Sequence, residues 1–160
     1  MRTCLLLFLL VCGSPALAQN AESQRFSHTL YLQPYSKLRQ AAELGDAQSQ
    51  YDLAYLYYKA GSDPLIIGVT QSYKLAAQWY RKAAQQGHTS AQYNMAVLHL
   101  QGEGVERDPV EAYAWLLHSS KAGHEASLAV IKELNGVLNE KQINTASQRS
   151  AALGVTPANP

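Results

Sequence analysis

Apolar and polar positions follow one pattern that this chain writes twice, 36 residues apart. Trp79-Tyr80-Arg81-Lys82-Ala83-Ala84-Gln85-Gln86-Gly87-His88 returns as Trp115-Leu116-Leu117-His118-Ser119-Ser120-Lys121-Ala122-Gly123-His124. The same offset carries Gly68-Val69 onto Gly104-Val105 and Ala76 onto Ala112. A fixed period of this size marks stacked helical units, each of which buries its apolar face only against its neighbours. The two full units are expected at about 46–86 and 88–122. Each reads as an antiparallel helix pair, 47–60 with 71–86 and 89–101 with 108–122.

The flanks continue the pattern. Tyr35 to Leu44 follows Pro34, reads as a helix and stops at Gly45; its Leu38, Ala41 and Ala42 match Tyr80, Ala83 and Ala84 at a spacing of 42. Beyond Gly123, Ala126 to Val137 resembles another first helix. Asn139-Glu140-Lys141-Gln142 then caps a final helix through Ala152. Because two units fall short of the ~3 that usually make a stable array, helices 35–44 and 126–152 belong to the same domain, 35–154. The last, more polar pair suits a terminal cap, and 155–160 is expected to fray. The fold class is all-α, an α/α superhelical solenoid.

Local punctuation has physical reasons. Gly45, Gly87 and Gly123 each follow a helix, where a left-handed residue is wanted and Gly adopts it without a Cβ penalty. In Asp108-Pro109-Val110-Glu111, Asp108 caps, Pro109 fits the first turn and Glu111 can close a capping box. Thr89 with Gln92 reads as a second box. Ala41, Ala42, Ala83 and Ala84 let helices approach closely, and Trp79 and Trp115 occupy one equivalent core slot.

The first 18 residues change the picture of where the protein works. Met1-Arg2-Thr3, the apolar run Cys4 to Cys12 and Ala16-Leu17-Ala18 before Gln19 have the layout of a secretory signal peptide. The run is too short for a permanent span. Cys12 as a lipid attachment site is disfavoured by Val11, where a small residue is expected. Residues 19–34 are polar and mixed, a loose arm. Both cysteines, Cys4 and Cys12, lie in the expected leader, so the mature chain would hold no disulfide or thiolate metal site. Without Arg2 the remainder has 12 basic and 12 acidic residues, no footprint for nucleic acid or for anionic lipid. The expected destination is the periplasm, or secretion beyond it.

These residues resemble the Sel-1-like repeat family, relatives of the tetratricopeptide repeats. Its pattern is followed by Ala91-Gln92-x-x-Met95-Ala96, Gly102-Glu103-Gly104-Val105, Asp108, Ala112 and Trp115. Leu53, Tyr57, Ala76, Trp79, Tyr80, Lys82, Ala83, Ala84 and Gly87 follow it in the first unit. His99 stands for the family's Tyr and Ser49 for its Ala. The likeness runs from about Leu38 to Val137. It implies an α/α superhelix used as an adaptor for protein assembly, with first helices lining the concave surface. It also brings an alternative, a cell-wall or β-lactam hydrolase, an activity assigned to some cysteine-rich relatives whose cysteines this chain lacks.

Once the repeat's core positions are set aside, Tyr51, Tyr55 and Tyr58 remain at i, i+4 and i+7, one face of a helix. Tyr93 and Val97 are equivalent positions in the next unit, with Asp52 and Asn94 alongside. Tyrosine offers large contact area with a polar tip, which suits a partner surface; padding between units is the competing role. Unit one also carries six extra residues, Ser62-Asp63-Pro64-Leu65-Ile66-Ile67. There Leu65, Ile66 and Ile67 either dock a partner or fold back over helix ends. Catalytic and metal candidates are absent from the pattern. His88 and His124 reflect the repeat, His99 fills a core slot, and Gly102-Glu103-Gly104 is a repeat turn without the strand or third glycine of a phosphate loop. No cofactor is implied. The reading is an exported, non-enzymatic adaptor for a peptide segment or envelope protein; self-association through the exposed end of the stack is the structural alternative.

Overall fold

The computed structural model describes residues 35–66 and 68–156. The expected leader, the arm at 19–34, Ile67 and residues 157–160 lie outside the described residues. The chain divides into two units, 1–36 and 37–160, and the packing below concerns the second.

The described residues are helices and turns, with no strand among them. The helices are α1 (35–43), α2 (Ala47–Lys59), α3 (Tyr73–Gln85), α4 (Thr89–Gln101), α5 (Pro109–Lys121), α6 (Glu125–Asn135) and α7 (Glu140–Ala152). Their starts are capped locally. Asp46 accepts from the Ser49 N–H at 2.7 Å, and Asp108 from those of Val110 and Glu111 at 2.9 and 3.1 Å. Asn139 and Gln142 close a full capping box on α7. Gly87 and Gly123, both at φ 86°, end α3 and α5 identically. The N–H groups of His88 and His124 return to the Ala83 and Ser119 carbonyls at 3.1 Å, the six-to-one bond of a Schellman motif.

Two expected boxes are not made. His88, not Thr89, caps α4, its Nδ1 accepting from the Ala91 N–H at 3.2 Å. Gln92 instead donates to the Ala84 carbonyl at 3.1 Å. Glu111 leaves the Asp108 N–H alone and takes Arg149 at 3.4 Å. The Asp108 N–H is already taken by the His99 carbonyl at 3.0 Å.

Helix pairs α2–α3 and α4–α5 pack as the two units, joined by α3 against α4. Alanines at 76, 77, 83, 84, 91, 96 and 112 are buried, so the backbones close on each other around Leu53, Tyr80, Met95, Leu98, Trp115 and Leu116. Gly104 shows how tight this is. A Cβ there would lie 2.2 Å from the Tyr73 carbonyl oxygen, and φ is 71°. The loop of the second unit presses on the start of α3, and only Gly fits both conditions.

Glutamine links successive units. Gln50 donates to the Ala42 carbonyl at 3.0 Å, as Gln92 does to Ala84. Gln86 completes the first of these by donating to Gln50 Oε1 at 2.8 Å. Its equivalent in the next unit is Ala122, and Gln92 Oε1 is buried with no hydrogen-bond partner.

Three expectations need correction. The final helices do not pair: α7 packs along α5, as does α6, without forming a hairpin with it. Arg149 holds Asp108 and Glu111, and His118 Nε2 lies 2.9 Å from the Ser150 carbonyl. The two tryptophans also diverge: Trp115 is buried, while Trp79 is half-buried beneath the Lys82 ammonium at 4.0 Å. Among the described residues α5 has α7 along it and α3 has no such cover. Finally, Thr156 is not free. Its N–H and hydroxyl both reach the Gln85 carbonyl, at 2.8 and 3.1 Å.

Candidate partner-binding groove

Residues 51, 55 and 58 lie on the face of α2 turned toward α4, because four- and seven-residue steps return a helix to the same side. With Tyr93, Asn94 and Val97 of α4 they line one groove of about 300 Å³. Six of the seven anticipated residues are thus brought together. The seventh, Asp52, is not in the lining; its carboxylate accepts from Gln48 Nε2 at 2.9 Å. Lys59, Tyr80 and Leu98 complete the groove. Lys59 continues the stripe one turn after Tyr55, a spacing visible in the sequence. Tyr80, a position of the repeat pattern, is buried at 1% exposure and forms the floor.

Tyr51, Tyr58 and Tyr93 are held from behind. Tyr51 stacks on His88 with centroids 4.5 Å apart and planes 14° apart, and meets Tyr80 at 5.6 Å. Tyr93 repeats the device against His124 at 4.7 Å. Tyr58 tilts against Tyr73 at 5.4 Å. Such pairs are worth roughly 0.5–1.5 kcal/mol beyond area burial. Padding between units and lining the groove are therefore done by the same rings: one face packs, the other is open. Tyr55 is the most open, at 40% exposure.

The groove stays uncharged along its aromatic wall. Burial raises the hydroxyl pKa of Tyr51 and of Tyr80, while the neighbouring Asn94 amide pulls the other way. Burial and then the Glu103 carboxylate raise that of Tyr58. His88 is lowered, chiefly by burial, with Asp52 opposing. Its Nδ1 accepts from Ala91, which leaves the proton on Nε2 facing Gln48 Oε1 at 3.1 Å. Rigid rings, neutral hydroxyls and one amide make a surface for contact and hydrogen bonding. Lys59 Nζ, 5.6 Å from the Tyr58 ring, adds a cation at one end.

The inserted loop is separate from this site. Leu65 is 85% exposed and Ile66 half-buried, so Leu65 does not fold back over the helix ends. His99 Nδ1 lies 3.1 Å from the Glu106 carbonyl, a structural bond. Among the described residues no three His, Cys, Asp or Glu side chains are gathered as metal ligands, and no helix is long and apolar enough to cross a membrane.

The Sel1 repeat family model matches residues 47–88 and 89–124, the two units of the stack. The chain carries two Sel1 repeats. Among curated relatives it is 34% identical over 76 residues to an exopolysaccharide production negative regulator of Rhizobium leguminosarum bv. viciae, covering 46% of this chain and 27% of that protein. It is 29% identical over 122 residues to chitin synthase regulatory factor 2 of Schizosaccharomyces pombe, covering 75% and 21%. Among solved structures, a protective antigen of uropathogenic Escherichia coli with an SLR fold is similar at 30% identity and a TM-score of 0.65, covering 72% and 24%. A Sel1 repeat protein from Oxalobacter formigenes matches at 32% identity and a TM-score of 0.55, covering 61% and 26%. This chain spans about a quarter of the length of each. The neighbours share the Sel1 solenoid architecture expected from the repeat.

Proposed function

We propose that this protein is an exported, non-enzymatic adaptor that holds a segment of a protein partner in the tyrosine groove between α2 and α4. The observation that carries the reading is the groove itself, where aromatic rings from two units converge and Tyr51, Tyr58 and Tyr93 are each fixed by a ring behind them. Pre-fixed rings lose little conformational freedom on binding, so more of the contact energy survives as affinity. The regulatory names of the two curated relatives agree with a role through binding. Export rests on the first 18 residues, and in this reading the partner is an envelope protein.

Photocrosslinking in living cells tests it. A photoreactive residue at Tyr55 should give a discrete adduct that is absent when it stands at Lys132, and Tyr51→Ala should reduce that adduct with helical circular dichroism retained. Equal adducts from both positions would remove the groove from consideration. Fractionation of cells carrying the chain with and without residues 2–18 tests export; retention of both forms in the cytoplasm refutes it.

A further inference from the structure

The distribution of charge marks a second surface. Between Asp63 and Glu103 the chain runs 39 residues without a carboxylate. That stretch includes all of α3, whose Lys74, Arg81 and Lys82 are exposed. These three line one shallow groove of about 420 Å³, together with Gln78, Gln85 and Val105 and with no acidic residue. The ion pairs among the described residues are Arg39 with Glu43 and Arg149 with Asp108 and Glu111. None neutralises the α3 cations. Like charges gathered on one helix face repel in the free protein, and that repulsion is relieved by carboxylates brought from outside.

We propose that this face of α3 docks an acidic segment of a protein, independently of the tyrosine groove. Lys74 and Arg81 are seven residues apart on the helix, which separates them by about 10.5 Å along its axis. Carboxylates three residues apart on a segment extended as polyproline II share one face and lie about 9 Å apart. An extended segment with Asp or Glu at every third position therefore meets both cations at once. Gln78, halfway between them, offers an amide to its backbone. Half-buried Trp79, under Lys82, adds apolar surface beside the charges.

The probe is a fluorescein-labelled ten-residue peptide with Glu at every third position and Ser or Gly between, titrated against the full chain and read by anisotropy. Its counterpart has Gln for every Glu. The Glu peptide should bind at least tenfold tighter than the Gln peptide and lose that margin on raising salt from about 50 to about 200 mM. Arg81→Glu with Lys82→Glu should abolish binding, the milder Arg81→Gln should weaken it severalfold, and Tyr55→Ala should leave it unchanged. Equal binding of the two peptides, or indifference to the Arg81 and Lys82 changes, overturns the proposal. So does stronger Arg81-dependent binding to phosphatidylglycerol vesicles than to the Glu peptide, which assigns the face to lipid.

Discussion

Replacing Ala122 by Gln should make the protein more stable. Ala122 ends α5 at φ −83°, ψ 8°, and Gln86 ends α3 at φ −82°, ψ 8°. A Gln at 122 therefore starts from the backbone geometry that lets Gln86 reach Gln50 Oε1 at 2.8 Å. Its target is Gln92 Oε1, buried and unpartnered, beside a cleft of about 430 Å³ that includes Ala122 and leaves room for the chain. Giving an unmet buried acceptor its hydrogen bond contributes about 1–3 kcal/mol. Fixing the glutamine costs up to about 2 kcal/mol. The balance is about 1 kcal/mol, or ~3–5 °C in Tm for a domain of this length. Thermal and urea unfolding followed by circular dichroism measure it. Gln86→Ala should lose a comparable amount, because it strands Gln50 Oε1. An unchanged or lower Tm for Ala122→Gln refutes the reasoning. So does an equal gain when Gln92 is already Leu.

Gly104→Ala should destabilise by about 1–3 kcal/mol through left-handed strain and backbone collision. Gly123→Ala, with no atom within 4 Å of the added carbon, should cost only the strain, about 1 kcal/mol; equal losses in urea titration would contradict the packing. His88 has a lowered folded-state pKa, so the unfolded chain takes up its proton first. Stability from this site is complete above the ordinary value near 6.5 and falls as pH drops through the lowered one. The pH dependence of Tm should flatten in His88→Asn, and an unaltered slope assigns it elsewhere. Asp108→Ala removes two N–H bonds and the exposed Arg149 pair and should cost about 1–2 kcal/mol, most of it from the cap. If Arg149→Ala alone costs as much, the ion pair and not the cap is responsible.

Much of this was legible because the repeat couples pattern to place. The 36-residue offset fixed the pairs, and Gly87 and Gly123 fixed their ends. The spacing of Tyr51, Tyr55 and Tyr58 was enough to put three rings on one wall. What escaped depended on contacts across the fold. Thr89 and Gln92 match a capping box, yet the preceding histidine caps with a ring nitrogen, a donor–acceptor choice that composition does not reveal. Trp79 and Trp115 are equivalent in sequence and unequal in burial: α7 packs along α5, whereas among the described helices only α2 and α4 pack along α3. That return of α7 is held by Arg149 and Ser150, which carry no local signal. Tyr80, named only as a repeat position, is both core and floor, since a buried ring can present an edge to a groove.

One ring does two jobs at the junction of the units. His88 supports Tyr51 from below, and its Nδ1 receives the Ala91 amide that opens α4. Whatever settles on Tyr51 therefore also steadies the first turn of the following helix. Deuterium uptake at Ala91 should slow when the groove is filled, and by reciprocity a loosened α4 start should weaken the guest by the same factor. Occupancy of a surface facing outward is thus recorded at an amide inside the backbone, one repeat further along.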